Sequence, residues 1–130
     1  MKTTTSWKTK HEFESRQDGN TVNLDGKSEN GFSPKALLLA GLGACSGIDI
    51  VDILEKMRVP FSDFSIDTEA QQTEEHPRVF REISITYRVK TAKENEDKVR
   101  KAIDLSLDKY CGVSAMLKKN SPIHYQLVIG

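Results

Sequence analysis

Histidine and cysteine are scarce in this chain of 130 residues, which contains three histidines and two cysteines. His11, His76 and His124 lie far apart, and no spacing of histidine and cysteine matches a zinc site. No metal and no bound cofactor is therefore expected. The length indicates one domain, residues 1–130, that is long enough to bury a core without disulfide staples.

An excess of either charge is also missing, because 19 lysines and arginines balance 19 aspartates and glutamates. The zero net charge argues against nucleic acid as a partner, since nucleic-acid-binding domains are usually basic. The first ten residues are polar and basic, without the apolar segment of a signal peptide. We therefore expect a cytoplasmic protein that does not bind membranes, in which cysteines are more often free or catalytic than structural.

The longest apolar stretch is residues 36–48, which contain no charge. Ser33 is a suitable N-cap and Pro34 a suitable first residue, so a helix is predicted to begin there. A helix that is apolar all round is buried, and this stretch is shorter than the about 20 residues that span a bilayer. Beyond it the pattern becomes amphipathic, with one polar face formed by Asp49, Asp52 and Lys56.

Three glycines, Gly41, Gly43 and Gly47, surround Cys45 in this predicted helix. Each glycine inside a helix costs roughly 1 kcal/mol relative to alanine, so another element is expected to pack closely against them. A thiol at such a place is the first candidate for chemistry. The alternative is that Cys45 packs as a small apolar residue, which is common for free cysteines.

The remaining pattern predicts two hairpins and two further helices, after a frayed start at residues 1–6. Alternating apolar residues predict strands at residues 7–13, 22–24, 64–70, 83–89 and 123–129. Thr91 and Glu94 form a capping-box pattern for a helix that ends at Gly112, and a short helix is predicted at residues 113–117. The inner stripe of the longer helix is predicted to be Val99, Ala102, Ile103, Ser106 and Tyr110.

The predicted order is β-β-α-β-β-α-α-β, an α+β fold with antiparallel sheet. Within it, three segments resemble the OsmC/Ohr family and together extend over nearly the whole chain. They are Ser33-Pro34 with residues 37–45 and Asp49-Ile50-Val51, the loop of residues 74–80, and residues 105–107 with Lys109-Tyr110-Cys111. The resemblance implies an intertwined homodimer, in which antiparallel sheets are wrapped around long buried central helices.

The resemblance also implies an activity, the thiol-dependent reduction of organic (alkyl or lipid) hydroperoxides in defence against oxidative stress. By position, Cys45 matches the family's peroxidatic cysteine and Cys111 its resolving cysteine. The implied partners are a second copy of the chain, an alkyl hydroperoxide and an external dithiol reductant, with active sites at the subunit interface. Physically, a thiolate attacks the peroxide, and the sulfenic acid formed condenses with a second thiol.

A peroxidatic cysteine needs help to ionise. Cys45 lies far from the start of its helix, where the helix dipole is weak, and apolar neighbours disfavour a thiolate. The resemblance implies an activating arginine near the first hairpin; Arg16 is the candidate and Lys27 the reserve. Taken alone, Arg16 is equally a solvated residue beside a turn, and Cys111 a core residue.

One position departs from the family pattern. Related peroxidases carry a glutamate shortly after the helix-starting proline, where this chain has Lys35. In a helix, Lys35 lies roughly 15 Å along the axis from Cys45, so direct contact is not expected. The departure favours an alternative function, a non-peroxidase OsmC-like protein that binds a small apolar ligand or serves another redox role.

Overall fold

The first sheet has three strands that follow one another along the chain and pair antiparallel. The computed structural model describes residues 1–130 and separates them into two units, Met1–Leu38 and Leu39–Gly130. The first unit holds the strands β1 (Thr4–Thr9), β2 (Glu12–Gln17) and β3 (Asn20–Asp25). In it, Trp7 pairs across the sheet with Phe13, and both side chains are exposed.

The predicted single strand of residues 7–13 is wrong, because the chain turns at Lys10 and His11 between β1 and β2. The predicted frayed start is also wrong, since Thr4, Thr5 and Ser6 belong to β1. Lys10 has a positive φ of 48°, and its carbonyl accepts a hydrogen bond from Trp7 Nε1 at 2.9 Å. This turn uses neither glycine nor proline, so it leaves no turn signal in the sequence.

Helix α1 (Pro34–Lys56) begins where the cap residues predict. Ser33 Oγ accepts the backbone N–H of Ala36 at 3.3 Å, which makes Ser33 the N-cap. The whole helix is long and apolar enough to cross a membrane, although its uncharged stretch, residues 36–48, is shorter than a bilayer requires. Core helices of soluble proteins meet the same criterion of length and composition. Its buried side includes Leu42, Ile50 and Leu54, whereas Ile48 is 63% exposed in the single chain.

The glycines of α1 face different surroundings. A Cβ on Gly47 would meet Ile66 Cδ1 at 3.0 Å, which is tighter than ordinary contacts. At Gly43 the nearest atom, Thr68 Cγ2, would lie at an ordinary 3.5 Å, and at Gly41 nothing lies within 4 Å. The predicted close packing is therefore confirmed at Gly47, where Ile66 approaches the helix.

The second sheet lies in the second unit, with the order β4-β5-β6. Its strands are β4 (Ser62–Gln72), β5 (Phe80–Lys90) and β6 (Ile123–Ile129). β4 and β5 form the predicted antiparallel hairpin, but β6 pairs parallel to β5, contrary to the expectation of purely antiparallel sheet. A parallel pair needs a crossover connection, which here contains the remaining helices. The α+β class and the two sheets agree with the predicted fold class.

The crossover between β5 and β6 contains α2 (Glu96–Leu105), preceded by a short 3₁₀ turn (Lys93–Asn95). A π-helical turn, Ser106–Tyr110, follows it and is called here the π turn. Helix α3 (Gly112–Lys118) comes next and confirms the predicted short helix. Val99, Ala102, Ile103 and Ser106 are buried, as the inner stripe predicts.

Three details of this crossover differ from the prediction. No capping box forms, because Thr91 Oγ1 donates instead to the carbonyl of Pro60 at 2.7 Å. Gly112 begins α3 and does not end a long helix. Tyr110 is 54% exposed, since the π turn inserts extra residues and rotates it away from the stripe.

Candidate functional site

Cys111 lies between the π turn and α3, and its side chain is buried. Its backbone N–H donates to the carbonyl of Ser106 at 2.7 Å, which closes the π turn. As the N-cap of α3, its Sγ accepts the backbone N–H of Ser114 at 3.3 Å. The backbone on both sides of this thiol is thus fixed.

Cys45 lies on α1, partly exposed and packed against the core of the second unit. Both cysteines are free, and Cys45 lies close enough to Cys111 to raise the pKa of its thiol. The structure therefore brings together the two cysteines that the sequence selects, although they lie on different elements.

The two thiols have different surroundings. Burial raises the pKa of Cys111 to about 11, against the opposing effect of the Ser114 N–H. The neighbouring Cys45 thiol, and then the charge of Asp49, raise that pKa further. Cys111 is thus a protonated thiol at neutral pH, while Cys45 is the more accessible of the pair. This difference suits Cys45 for the first attack and Cys111 for the second.

A buried polar chain runs beside the thiols. Tyr87 and Ser46 share a hydrogen bond of 2.7 Å, and Ser46 and Ser106 share one of 3.0 Å. Ser106 Oγ also lies 3.0 Å from Asp49 Oδ2. Burial raises the pKa of Tyr87 to about 12, so its phenol stays protonated. No sequence motif marks this chain, because its members lie on α1, β5 and the π turn.

Arg16 lies on β2 in the first unit, whereas both cysteines lie in the second. Its guanidinium pairs with Glu14 at 3.2 Å, and its side chain is 61% exposed. It lines a cavity of about 270 Å³ within the first unit, together with Leu37. Lys27 is exposed, and its backbone N–H donates to Asp25. The role of either cation in activating Cys45 stays a prediction.

Two concave surfaces of the second unit are lined by helix α1. The α1/β4 groove has a volume of about 690 Å³ and is lined mainly by apolar and small residues of α1 and β4, including Ile48, Val51, Phe64 and Ile66. A second cleft of about 460 Å³ lies between α1 and the α2–π turn segment and is amphipathic, with Asp49, Lys56, Lys101 and Tyr110 in its wall. Asp49 therefore connects the buried polar chain to an open surface.

A family model described as OsmC-like protein matches residues 25–126. The chain belongs to the OsmC-like protein family. The match includes Cys45, Cys111 and Lys27, but Arg16 lies outside it. The predicted family resemblance is thereby confirmed.

Individual proteins are also similar to this OsmC-like chain. Protein YhfA of Escherichia coli (strain K12) is 36% identical over 102 residues, 78% of this chain and 76% of YhfA. The crystal structure of the OsmC-like protein from Mycoplasma pneumoniae superposes with a TM-score of 0.87 at 17% identity, covering 98% of this chain and 95% of that one.

The organic hydroperoxide resistance protein OhrB of Bacillus subtilis superposes with a TM-score of 0.66 at 16% identity, covering 97% and 96% of the two chains. At such identities the likeness of the solved structures shows the shared fold.

Proposed function

We propose that this protein is a thiol-dependent peroxidase that reduces organic hydroperoxides, with Cys45 as the peroxidatic and Cys111 as the resolving cysteine. The observation that supports it most directly is the pair of free neighbouring thiols, one partly exposed and one buried. Two neighbouring thiols can form a disulfide reversibly, which a single buried cysteine cannot. The reducing cytoplasm, where thiols stay free, is the proposed compartment.

The proposed cycle has three steps. The Cys45 thiolate attacks the distal oxygen of the hydroperoxide, the O–O bond breaks, and the departing alkoxide takes a proton to become an alcohol. The sulfur has then lost two electrons and is a sulfenic acid. The Cys111 sulfur attacks it, the S–O bond breaks, and water leaves as the Cys45–Cys111 disulfide forms. An external dithiol then supplies two electrons and two protons and restores both thiols.

A homodimer is part of the proposal. The α1/β4 groove and the exposed Ile48 form an apolar face that a second copy can cover. Sedimentation at micromolar concentration is expected to give a dimer that Ile48→Glu dissociates. Val128→Glu is the matched control, since Val128 is also exposed but lies on β6, and it is expected to leave the dimer intact. A folded monomeric wild type contradicts the proposed assembly.

The activity test compares wild type, Cys45→Ser and Cys111→Ser for consumption of tert-butyl hydroperoxide with dithiothreitol. We expect turnover in wild type and none above background in Cys45→Ser. Cys111→Ser is expected to complete one oxidation and to stop as a sulfenic acid that dimedone labels, because the resolving thiol is missing. Intact-mass analysis of oxidised wild type should show the loss of about two hydrogens.

Two results would contradict this assignment. Equal consumption by wild type and Cys45→Ser would remove Cys45 from the chemistry. Two alkylatable thiols persisting after stoichiometric peroxide would remove the resolving role from Cys111.

The second candidate is a non-peroxidase that binds a small apolar ligand. The α1/β4 groove favours it, because its volume and apolar lining are typical of sites for small molecules. Lys35, where related peroxidases have glutamate, favours it as well. Under this candidate, an apolar fluorescent probe should bind wild type and Cys45→Ser equally, and neither should consume peroxide.

A further inference from the structure

Ser106 is the one residue that bonds to the segments of both cysteines. Its carbonyl accepts the backbone N–H of Cys111 at 2.7 Å. Its hydroxyl lies 3.0 Å from Ser46 Oγ and 3.0 Å from Asp49 Oδ2, both on the helix that carries Cys45. Ser46 is the residue directly after Cys45. One fully buried serine thus ties α1 to the π turn at the level of the two thiols.

The directions of these hydrogen bonds follow from the available protons. The Asp49 carboxylate only accepts, so Ser106 donates its single hydroxyl proton there, where the charge makes the bond strong. The Ser106 hydroxyl is also the donor toward Ser46 Oγ, so two acceptors on α1 share its proton. Either Ser46 or Tyr87 can donate in the bond between them, and no buried side-chain nitrogen or oxygen is left unpaired. The hydroxyl of Ser106 is therefore bonded to α1 at two points.

We propose that Ser106 is a positioning residue for the thiol pair, holding α1 and the π turn so that Cys45 and Cys111 stay close to each other. Disulfide geometry is narrow, and small displacements of the backbone strain the bond or prevent it. In this proposal Ser106 acts by holding the two segments in place, and no proton of Cys45 or Cys111 passes along the buried polar chain. The inference rests on the thiol pairing used in the proposed function.

The test measures the equilibrium of the Cys45–Cys111 disulfide in glutathione redox buffers, which needs no peroxide. Ser106→Ala is expected to lower the effective concentration of the two thiols by about tenfold, the size expected when one buried hydrogen bond is lost. Ser106→Thr, which keeps the hydroxyl, should recover a value closer to wild type.

Ser121→Ala is the matched control. Ser121 is equally buried, and its hydroxyl donates to the carbonyl of Phe80 at 2.7 Å, a bond that involves neither cysteine segment. It should destabilise the fold as Ser106→Ala does, but leave the disulfide equilibrium unchanged. If Ser106→Ala does not fold, Ser46→Ala removes the bond between Ser46 and Ser106 from the α1 side. This variant should also lower the equilibrium constant for disulfide formation.

Equal disulfide equilibrium constants in wild type and Ser106→Ala would overturn the inference. If Ser106→Ala does not fold, equal constants in wild type and Ser46→Ala would overturn it. So would a wild type that forms no intramolecular disulfide in oxidised glutathione. A wild type that forms the disulfide but consumes no hydroperoxide refutes the proposed function alone, because the positioning of the thiols is then still measured directly.

Discussion

The two three-stranded sheets of this chain are stabilised by different interactions. In the β4-β5-β6 sheet the central strand buries Ile83, Ile85 and Tyr87 completely. In the β1-β2-β3 sheet no side chain is buried except Asp25 at the end of β3, and β1 is exposed along its whole length. The second sheet is therefore stabilised by apolar burial, and the first by backbone and turn hydrogen bonds.

This difference indicates what the first sheet lacks in a single chain. Trp7 and Phe13 face each other across β1 and β2 with their rings exposed, although aromatic residues contribute most when buried. A sheet of this kind gains stability when another surface covers it. Three predictions use the contrast between the sheets.

The largest expected effect is on stability. Ile85→Ala should lower the free energy of unfolding by about 2–5 kcal/mol, because it removes fully buried methyl groups and leaves a cavity. Trp7→Ala should change the free energy of unfolding of the monomer by less than about 1 kcal/mol, since Trp7 is 66% exposed. Urea unfolding followed by circular dichroism measures both. A loss from Trp7→Ala as large as that from Ile85→Ala would erase the contrast between the sheets.

The next effect is on chemistry and concerns Arg16 of the first sheet. If Arg16 activates Cys45, Arg16→Ala should slow oxidation of Cys45 by an alkyl hydroperoxide by about tenfold or more at neutral pH, because a cation favours the thiolate. Stability should change by less than about 1 kcal/mol, since the pair with Glu14 is exposed. Rates followed against pH for both forms decide it.

Arg88→Ala is the control for this measurement. Arg88 is likewise exposed and pairs with Asp67 at 3.2 Å on the second sheet, so its loss should leave the oxidation rate unchanged. Identical pH profiles for wild type and Arg16→Ala would exclude Arg16 and make Lys27→Ala the next variant to examine.

The smallest effect is local and depends on pH. The backbone N–H groups of Lys27 and Asn30 donate to the Asp25 carboxylate at 2.9 and 3.1 Å and lower its pKa. A lowered pKa in the folded state contributes stability above the usual aspartate pKa, and this contribution disappears as pH falls through the lowered value. Asp25→Asn should remove this pH dependence and speed amide exchange at residues 27 and 30.

Hydrogen exchange against pH measures this effect in the first unit. Asp18→Asn is the control, since Asp18 is exposed, lies in the turn between β2 and β3, and has a positive φ of 53° that asparagine also tolerates. Exchange at residues 27 and 30 that is equally fast in wild type and Asp25→Asn would show that the carboxylate does not hold this loop.

How far the sequence predicts the structure depends on the range of the interaction. The start of α1 at Ser33 and Pro34 is predictable because capping acts within one helical turn. The β1–β2 turn at Lys10 is not, because its stability comes from a hydrogen bond of the Trp7 indole and not from turn residues. The parallel pairing of β6 is set by the whole crossover, which no local pattern encodes.

The candidate site shows the same limit. The meeting of Cys45 and Cys111 follows from the family resemblance, and no spacing in the sequence reveals it. The bonds of Ser46 with Tyr87 and Ser106 join residues 41 and 60 positions apart, and serine and tyrosine carry no periodic signal of pairing. Buried hydroxyl chains of this kind become visible only when the packed elements are known.

The parallel pairing of β5 and β6 has a consequence for a chain that is still folding. Cys111 lies on the long connection between these strands, and contacts between residues far apart in sequence form late. Until the connection is in place, Cys45 has no second thiol beside it. A sulfenic acid formed on Cys45 of the unfolded chain therefore lacks its neighbouring thiol and is open to further, irreversible oxidation. In the proposed cycle, the folded chain instead forms a disulfide that a dithiol can reverse.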